Sequence, residues 1–343
     1  MFSRFTIGVV IVIALIVIII IVVVLKCQKM NSNLVYGISD FPSAHRVNAK
    51  QVTYSQQALI YEDELMARRK LLFPLQIQDI RINHDVKSDP NYNTIMAALK
   101  GHPRAVNRDE MKFMLQYKAF LDQSDVYSMA SVNDIDQVYL ATLKVFGSRV
   151  EGDFVECGVW RGGMLMFMKT LIDYFGTKNL DLAVEPRTVW GFDAFDTFPA
   201  PTGDDPVDNA IHPLVAVLYN KPISVYDVEA AFLQFGLSDE RVHLVKGLFT
   251  DTIPVATRSV NDSTNSALQK IALLRIDNDY YENVTFVLDQ LYQLVNKGGI
   301  VIIDDYNNPV VNCRQAVLDW RAKHAISDPI IDTYGGAIYW IKS

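Results

Sequence analysis

Cysteine is scarce in this 343-residue chain, and its three copies, Cys27, Cys157 and Cys313, lie far apart. No Cys-x-x-Cys or paired Cys/His spacing occurs, so neither a disulfide framework nor a zinc centre is indicated. The thiols read as small buried or idle groups. A basic excess is missing too. Against 39 Asp and Glu stand 32 Lys and Arg, a net charge of −7, which argues against a nucleic-acid partner. The chain has no internal repeat, and its one low-complexity run is at the N-terminus. Also absent is the Gly-x-Gly-x-x-Gly fingerprint, whose glycines would cradle the pyrophosphate of a dinucleotide. What remains is half hydrophobic in composition and long enough for one sizeable α/β domain plus an appendage.

The appendage starts with an uncharged run of Ile, Val and Leu from Ile7 to Leu25. At ~1.5 Å per residue such a helix reaches roughly 28 Å, near the hydrocarbon thickness of a bilayer. A cleaved signal peptide would need a shorter core and a small-residue cleavage site. Here Lys26-Cys27-Gln28-Lys29 follows, so residues 1–26 are expected to be a retained transmembrane anchor of a single-pass membrane protein. Charges flanking the run are nearly balanced and lean towards a cytosolic catalytic domain. Residues 27–110 read as a linker and accessory helical region. Helical periodicity covers Tyr54–Leu72, and Pro74, Pro90, Gly101 and Pro103 break the chain after it.

Residues 111–343 read as the main domain. Helices are expected near Arg108–Leu121 and Asn133–Phe146. From Gly152 onward, apolar runs at 154–157, 188–193, 242–246, 270–276 and 299–304 alternate with helical stretches near 162–175, 225–236, 281–296 and 309–324. Such alternation predicts a parallel sheet covered on both faces. Pro329–Thr333 and Ala337–Ile341, joined through Tyr334-Gly335-Gly336, add a terminal antiparallel hairpin. The expected fold is therefore α/β and Rossmann-like: a mostly parallel seven-stranded sheet with a C-terminal antiparallel hairpin, of methyltransferase rather than dehydrogenase type.

Acids stand where these strands end, which is where open α/β sheets bind ligands. Val155-Glu156-Cys157-Gly158-Val159-Trp160-Arg161-Gly162-Gly163 runs from a strand through an acid into a glycine turn that opens a helix. A turn this tight brings main-chain N–H groups close to a ligand. Its acid would repel a pyrophosphate but suits an ammonium or sulfonium, and S-adenosylmethionine carries both. Asp193 ends the next strand, where a carboxylate can accept both ribose hydroxyls; the structural alternative is a helix cap. Gly247-Leu248-Phe249 offers an adenine wall or a core aromatic. Asp277 and the pair Asp304-Asp305 end two strands expected to be neighbours, ~4.8 Å apart. Three converging carboxylates call for a hard divalent cation such as Mg²⁺, unless helix caps or ion pairs with Arg275 or Arg314 absorb them.

Over residues 125–343 these motifs resemble the TylF-type macrocin O-methyltransferases, which are S-adenosylmethionine- and Mg²⁺-dependent sugar O-methyltransferases. The likeness is carried in order by Gly152–Gly163, Val189-Trp190-Gly191-Phe192-Asp193, Gly247–Pro254, Leu274–Asp279 with Tyr281-Glu282, Gly298-Gly299, Asp304-Asp305-Tyr306 and Cys313–Val317. It implies that Glu156, Gly158, Arg161 and Gly162 hold the methionine part of the cofactor. Asp193 would hold the ribose, and Asp277, Asp304 and Asp305 would hold Mg²⁺; Gly247 and Phe249 stay as expected cofactor contacts on the reading of the residues alone. The catalytic base is expected to be Asp277 itself or His212, in the variable stretch 204–218. Partners follow: a sugar or glycoconjugate acceptor and, through the anchor, a membrane, with homo-oligomer formation left open. Competing readings are the same chemistry on a phenolic or other vicinal diol, a nicotinamide oxidoreductase, and a non-catalytic binding protein.

Overall fold

Short apolar runs, the first six closed by glycine or an acid, make the strands of a seven-stranded sheet. The computed structural model describes residues 65–76, 79–99, 107–178, 186–258 and 267–343, and Leu65–Ser343 is one compact unit. The strands are β1 (Asp153–Cys157), β2 (Val189–Asp193), β3 (Val242–Lys246), β4 (Ile271–Ile276), β5 (Val295–Ile303), β6 (Ile331–Asp332) and β7 (Ile338–Ile341). Their order is β3-β2-β1-β4-β5-β7-β6. The first five are parallel, and β7 runs antiparallel to both β5 and β6. This is the expected sheet with its terminal hairpin. The order reverses at β1, next to β4, which leaves a crevice at the carboxyl ends of both strands.

Helices cover both faces: α1 (Tyr92–Ala98), α2 (Arg108–Leu121), α3 (Val132–Gly147), α4 (Gly163–Asp173), α5 (Pro206–Leu218), α6 (Val225–Gln234), α7 (Phe249–Ala256), α8 (Tyr281–Leu291) and α9 (Cys313–Lys323). Because side chains alternate along a strand, Phe154 packs with Val145, Leu171 and Phe232 on one face. Its neighbours Val155 and Cys157 pack with Leu288 and Trp320 on the other. A third, smaller cluster joins Ile95 of α1, Leu115 of α2 and Leu218 of α5. It ties the accessory helices to the stretch between β2 and β3.

Two helices escape a periodicity reading. Helix α5 lies in the stretch read only as a variable insert, and α7 begins at the residue read as an adenine wall. Both contain an internal proline, Pro213 and Pro254, which removes a backbone donor and signals a break. Pro206 at the start of α5 is by contrast well placed, since the first helical N–H has no partner to lose. The reach of α8 is also shorter than expected. It stops at Leu291, and one 3₁₀ turn leads into β5 at Val295.

The expectation of a single-pass membrane protein with a cytosolic domain does not stand. No helix among the described residues is long and apolar enough to cross a membrane. The run Ile7–Leu25, on which that expectation rested, lies outside the described residues.

Gly158 fixes how closely β1 and β4 approach at the crevice. Its φ is +95°, and a Cβ there would lie 1.9 Å from the Asp277 carbonyl oxygen. The neighbouring bonds, Asp277 N–H to Cys157 O at 2.8 Å and Gly158 N–H to Phe192 O at 2.9 Å, tie three strand ends together. Gly158→Ala is therefore expected to cost about 2 kcal/mol or more. A melting temperature within a degree of the parent's, by calorimetry, would show that this contact can relax.

Candidate active site

The carboxyl ends of the central strands open into a cavity of about 540 Å³. Glu156, Gly158 and Asp193 line it from β1 and β2, and Gly247 and Phe249 line it after β3. Asp277, Asp304 and Asp305 line it from β4 and β5. Arg161, Gly162 and His212 are not on its wall.

Arg275 organises the acids. It pairs with Glu156 across the β1–β4 ladder, so the two side chains share a face. Its guanidinium is 3% exposed and Nη1 lies 2.6 Å from Glu156 Oε1 and 2.7 Å from Asp277 Oδ2. Nη2 bonds Asp304 Oδ2. One buried cation thus serves three carboxylates from three adjacent strands. Burial still dominates Glu156, whose pKa is pushed up to about 8 despite the pull of Arg275. Burial likewise raises Asp277, Asp279 and Asp305, and mutual repulsion among the carboxylates adds to it.

Two observations bear on a bound cofactor and metal. Glu156 Oε2 is buried without a hydrogen-bond partner, the state of a carboxylate awaiting a donor such as an ammonium. Asp277, Asp279, Asp304 and Asp305 are four hard oxygen donors at the ends of two strands, and among the described residues Arg275 is the one cation paired with them. In donor type and charge they fit a divalent cation. As they stand, no three acid, histidine or cysteine side chains among the described residues are gathered to hold an ion. Asp277 and Asp304 close on Arg275 instead.

Asp193 accepts three backbone N–H groups: Val159 at 2.7 Å and Trp160 at 3.0 Å on Oδ2, and Phe195 at 2.8 Å on Oδ1. It braces the glycine turn, where Trp160 takes a positive φ of 47°. A carboxylate has about four lone-pair directions, so one on Oδ1 remains free. Arg161 turns away from the cavity. It donates to the carbonyls of Leu121 at 2.8 Å and Val126 at 3.0 Å, closing the C-terminal end of α2, and stacks over Trp160. Gly162, at φ +84°, is a packing glycine: a Cβ would lie 2.8 Å from Val228. His212 Nδ1 lies 2.9 Å from the Tyr280 hydroxyl, and burial lowers its pKa.

Several cavity residues carried no assignable signal in the sequence. Asp279 stands on the wall within the same short motif as Asp277. Tyr117 of α2 and Tyr219 at the end of α5 bring their hydroxyls within 2.8 Å. The two are 102 residues apart, and no periodicity connects them.

A parallel sheet with a reversed terminal strand and an acidic cleft at the switch point defines a Rossmann-like methyltransferase. Comparison with known proteins agrees. The family model described as macrocin-O-methyltransferase (TylF) matches residues 69–342. The mycinamicin III 3''-O-methyltransferase of Micromonospora griseorubida is 35% identical over 202 residues, 57% of this chain and 70% of that protein. A tetracenomycin-C 4'-O-methyltransferase of Streptomyces olivaceus, acting on a dimethoxy-rhamnosyl form, is 34% identical over 220 residues, 63% of this chain and 76% of that one. The solved O-methyltransferase NovP superposes with a TM-score of 0.57 at 26% identity, covering 82% of this chain and 99% of NovP. The chain belongs to the macrocin O-methyltransferase family, as the motifs implied, and is an S-adenosylmethionine-dependent O-methyltransferase.

Removing the hub should unfold the site. Arg275→Met leaves three carboxylates without their shared cation, and breaking a buried ion pair by removing one partner costs about 3–5 kcal/mol. At this chain length that is a fall in Tm of roughly 10 °C. Arg275→Lys is expected to recover little, because one ammonium cannot span the three acceptors as a guanidinium fork does. Wild-type melting in either variant would remove Arg275 from its organising role.

Proposed function

We propose that the protein methylates a hydroxyl of a sugar carried on a glycoconjugate, with Mg²⁺ held by Asp277, Asp304 and Asp305. The observation that carries this reading is the unpartnered buried oxygen of Glu156 beside an acid cluster with a single cation. The relatives named above, whose names specify methylation on glycosylated natural products, support the acceptor class. In this reading residues 111–343 form the methyltransferase domain.

When bound, S-adenosylmethionine supplies an activated methyl group, and Mg²⁺ lowers the pKa of a chelated acceptor hydroxyl. The remaining work falls to the chain. Glu156 Oε2 accepts from the cofactor ammonium, and the free lone pair of Asp193 accepts a ribose hydroxyl. The turn at Gly158 admits the cofactor close to the main chain, and Phe249 offers a face to the adenine. Asp277 is in an ion pair with Arg275 and is assigned to the metal, so its oxygens are already engaged. Asp279, which has no ion pair among the described residues and lines the same wall, is the better acceptor for the hydroxyl proton. His212 is engaged with Tyr280 off the cavity wall and is given no part. Most of the acceleration then comes from holding the nucleophile in line with the methyl group.

S-adenosylmethionine should raise the Tm where NAD does not, since only a ligand of the native state stabilises it. Glu156→Gln should weaken that binding about tenfold, worth ~1.4 kcal/mol. Asp304→Asn should lose methyl transfer by a factor of roughly 100 while cofactor affinity stays within about threefold, the size expected when one element of a metal or charge-stabilising set is lost. Normal, chelator-resistant turnover by Asp304→Asn would sink the metal assignment. Asp279→Asn should lower kcat with little change in cofactor affinity; unchanged kcat would return the base role to another group.

A further inference from the structure

Two of the cleft acids are fixed twice over. The Asp277 N–H donates to Cys157 O at 2.8 Å and the Asp304 N–H to Ile276 O at 2.9 Å, and both side chains pair with Arg275. Asp279 and Asp305 follow them on the loops 277–280 and 304–312, which lead into α8 and α9. The ion pairs of Arg275 go to other acids, yet the carboxyl groups of Asp279 and Asp305 meet in a hydrogen bond. Acids this close repel when ionised, so the loops that carry them must be held from elsewhere.

Helix α5 supplies the hold. Asp208, on its first turn, is fully buried and is not on the cavity wall. Its Oδ2 accepts the N–H of Tyr281, the first residue of α8, at 2.7 Å. Its Oδ1 accepts the N–H of Asn312, the residue before α9, at 3.3 Å. Neither α8 nor α9 has a side-chain cap of its own. One carboxylate from a third helix therefore caps both, where unpaired N–H groups and the helix dipoles favour an anion. Burial raises the pKa of Asp208 to about 6, which leaves it ionised at neutral pH. Two further bonds support the contact. Asp205 Oδ2 accepts from Asn312 Nδ2 at 2.7 Å. His212, one turn along α5 from Asp208, meets the Tyr280 hydroxyl at 2.9 Å without entering the chemistry.

We propose that Asp208 is a positioning residue for Asp279 and Asp305: by capping α8 and α9 with one carboxylate, it sets the spacing of the two loops that present these acids. The inference rests on the methyl-transfer reading and adds to it a group that touches neither cofactor nor acceptor. Both oxygens are required, because each serves a different helix. An asparagine has one acceptor oxygen, and its NH₂ group would face the other backbone N–H. Helix α5 thus acts on the loop acids from outside the sheet, while Asp277 and Asp304 keep their places at the strand ends.

The test compares the full chain with its Asp208→Ala and Asp208→Asn variants, well below their melting temperatures. Hydrogen exchange is followed by mass spectrometry, and Mn²⁺ is titrated calorimetrically as the metal probe with S-adenosylhomocysteine bound. In Asp208→Ala, exchange across 278–284 and 306–316 should speed up about tenfold or more, while 155–165 exchanges as in the parent. Mn²⁺ should bind about tenfold more weakly, the usual effect of losing a group behind a metal site, and S-adenosylhomocysteine should bind unchanged. Asp208→Asn, with one acceptor left, should speed exchange chiefly at one of the two segments. Unchanged exchange at either segment in Asp208→Ala overturns the proposal. So does a lowered melting temperature with Mn²⁺ affinity unchanged, which is what a purely structural role gives. Should Asp208→Ala not fold, Asp208→Asn decides, and unchanged exchange at both of its segments is the adverse result. If the parent itself binds no Mn²⁺, the metal assignment falls, and the exchange comparison alone decides whether Asp208 holds the two loops.

Discussion

Everything at the carboxyl edge of this sheet depends on how one buried guanidinium is shared. Arg275 draws Glu156, Asp277 and Asp304 from three adjacent strands to a single point. An ion pair at this depth does not stabilise the fold cheaply, because desolvation offsets most of the attraction. What it does is fix position. Glu156 is presented with one oxygen satisfied and the other bare, and Asp277 and Asp304 are held at the neighbouring strand ends. The backbone makes this convergence possible. Without a side chain at Gly158, β1 and β4 approach closely enough for the Asp277 carbonyl to occupy the space a Cβ would need.

The sheet and the positions of its acids were legible because they depend on local pattern. Short apolar runs ending in acid or glycine identify strands, and the pair Gly335-Gly336 marks the turn of the final hairpin. The helices α5 and α7 were not legible as helices, since Pro213 and Pro254 signal breaks that tertiary packing of Ile211, Val215 and Ile253 overrides. Side-chain direction was a harder limit. Arg161 sits inside the glycine-turn motif, yet its guanidinium leaves the cleft for the carbonyls of Leu121, at the end of α2, and Val126. Nothing in its sequence neighbourhood distinguishes these two fates.

The same limit explains the acid set. Sequence placed Asp277, Asp304 and Asp305 together and named Arg275 among the groups that could absorb them. It did not rank the two outcomes, because that depends on whether Arg275 points into the cleft or along the sheet. The register with Glu156 settles the direction. A similar distinction separates His212 from Asp279: the histidine stood out by residue type, while the aspartate, two positions past Asp277, stands on the cavity wall.

The two halves of the cleft have different origins in the chain. Strand ends and the turn at Gly158 build one side, and their geometry is fixed by main-chain ladder bonds that most side-chain substitutions leave intact. Tyr117 and Tyr219 come from α2 and α5, which lie outside the sheet and meet through a small apolar cluster of their own. Drift in those helices can therefore reshape one wall of the cleft while the strand-end wall stays constant, so a lineage built on this scaffold can vary the shape of its cavity without disturbing the sheet.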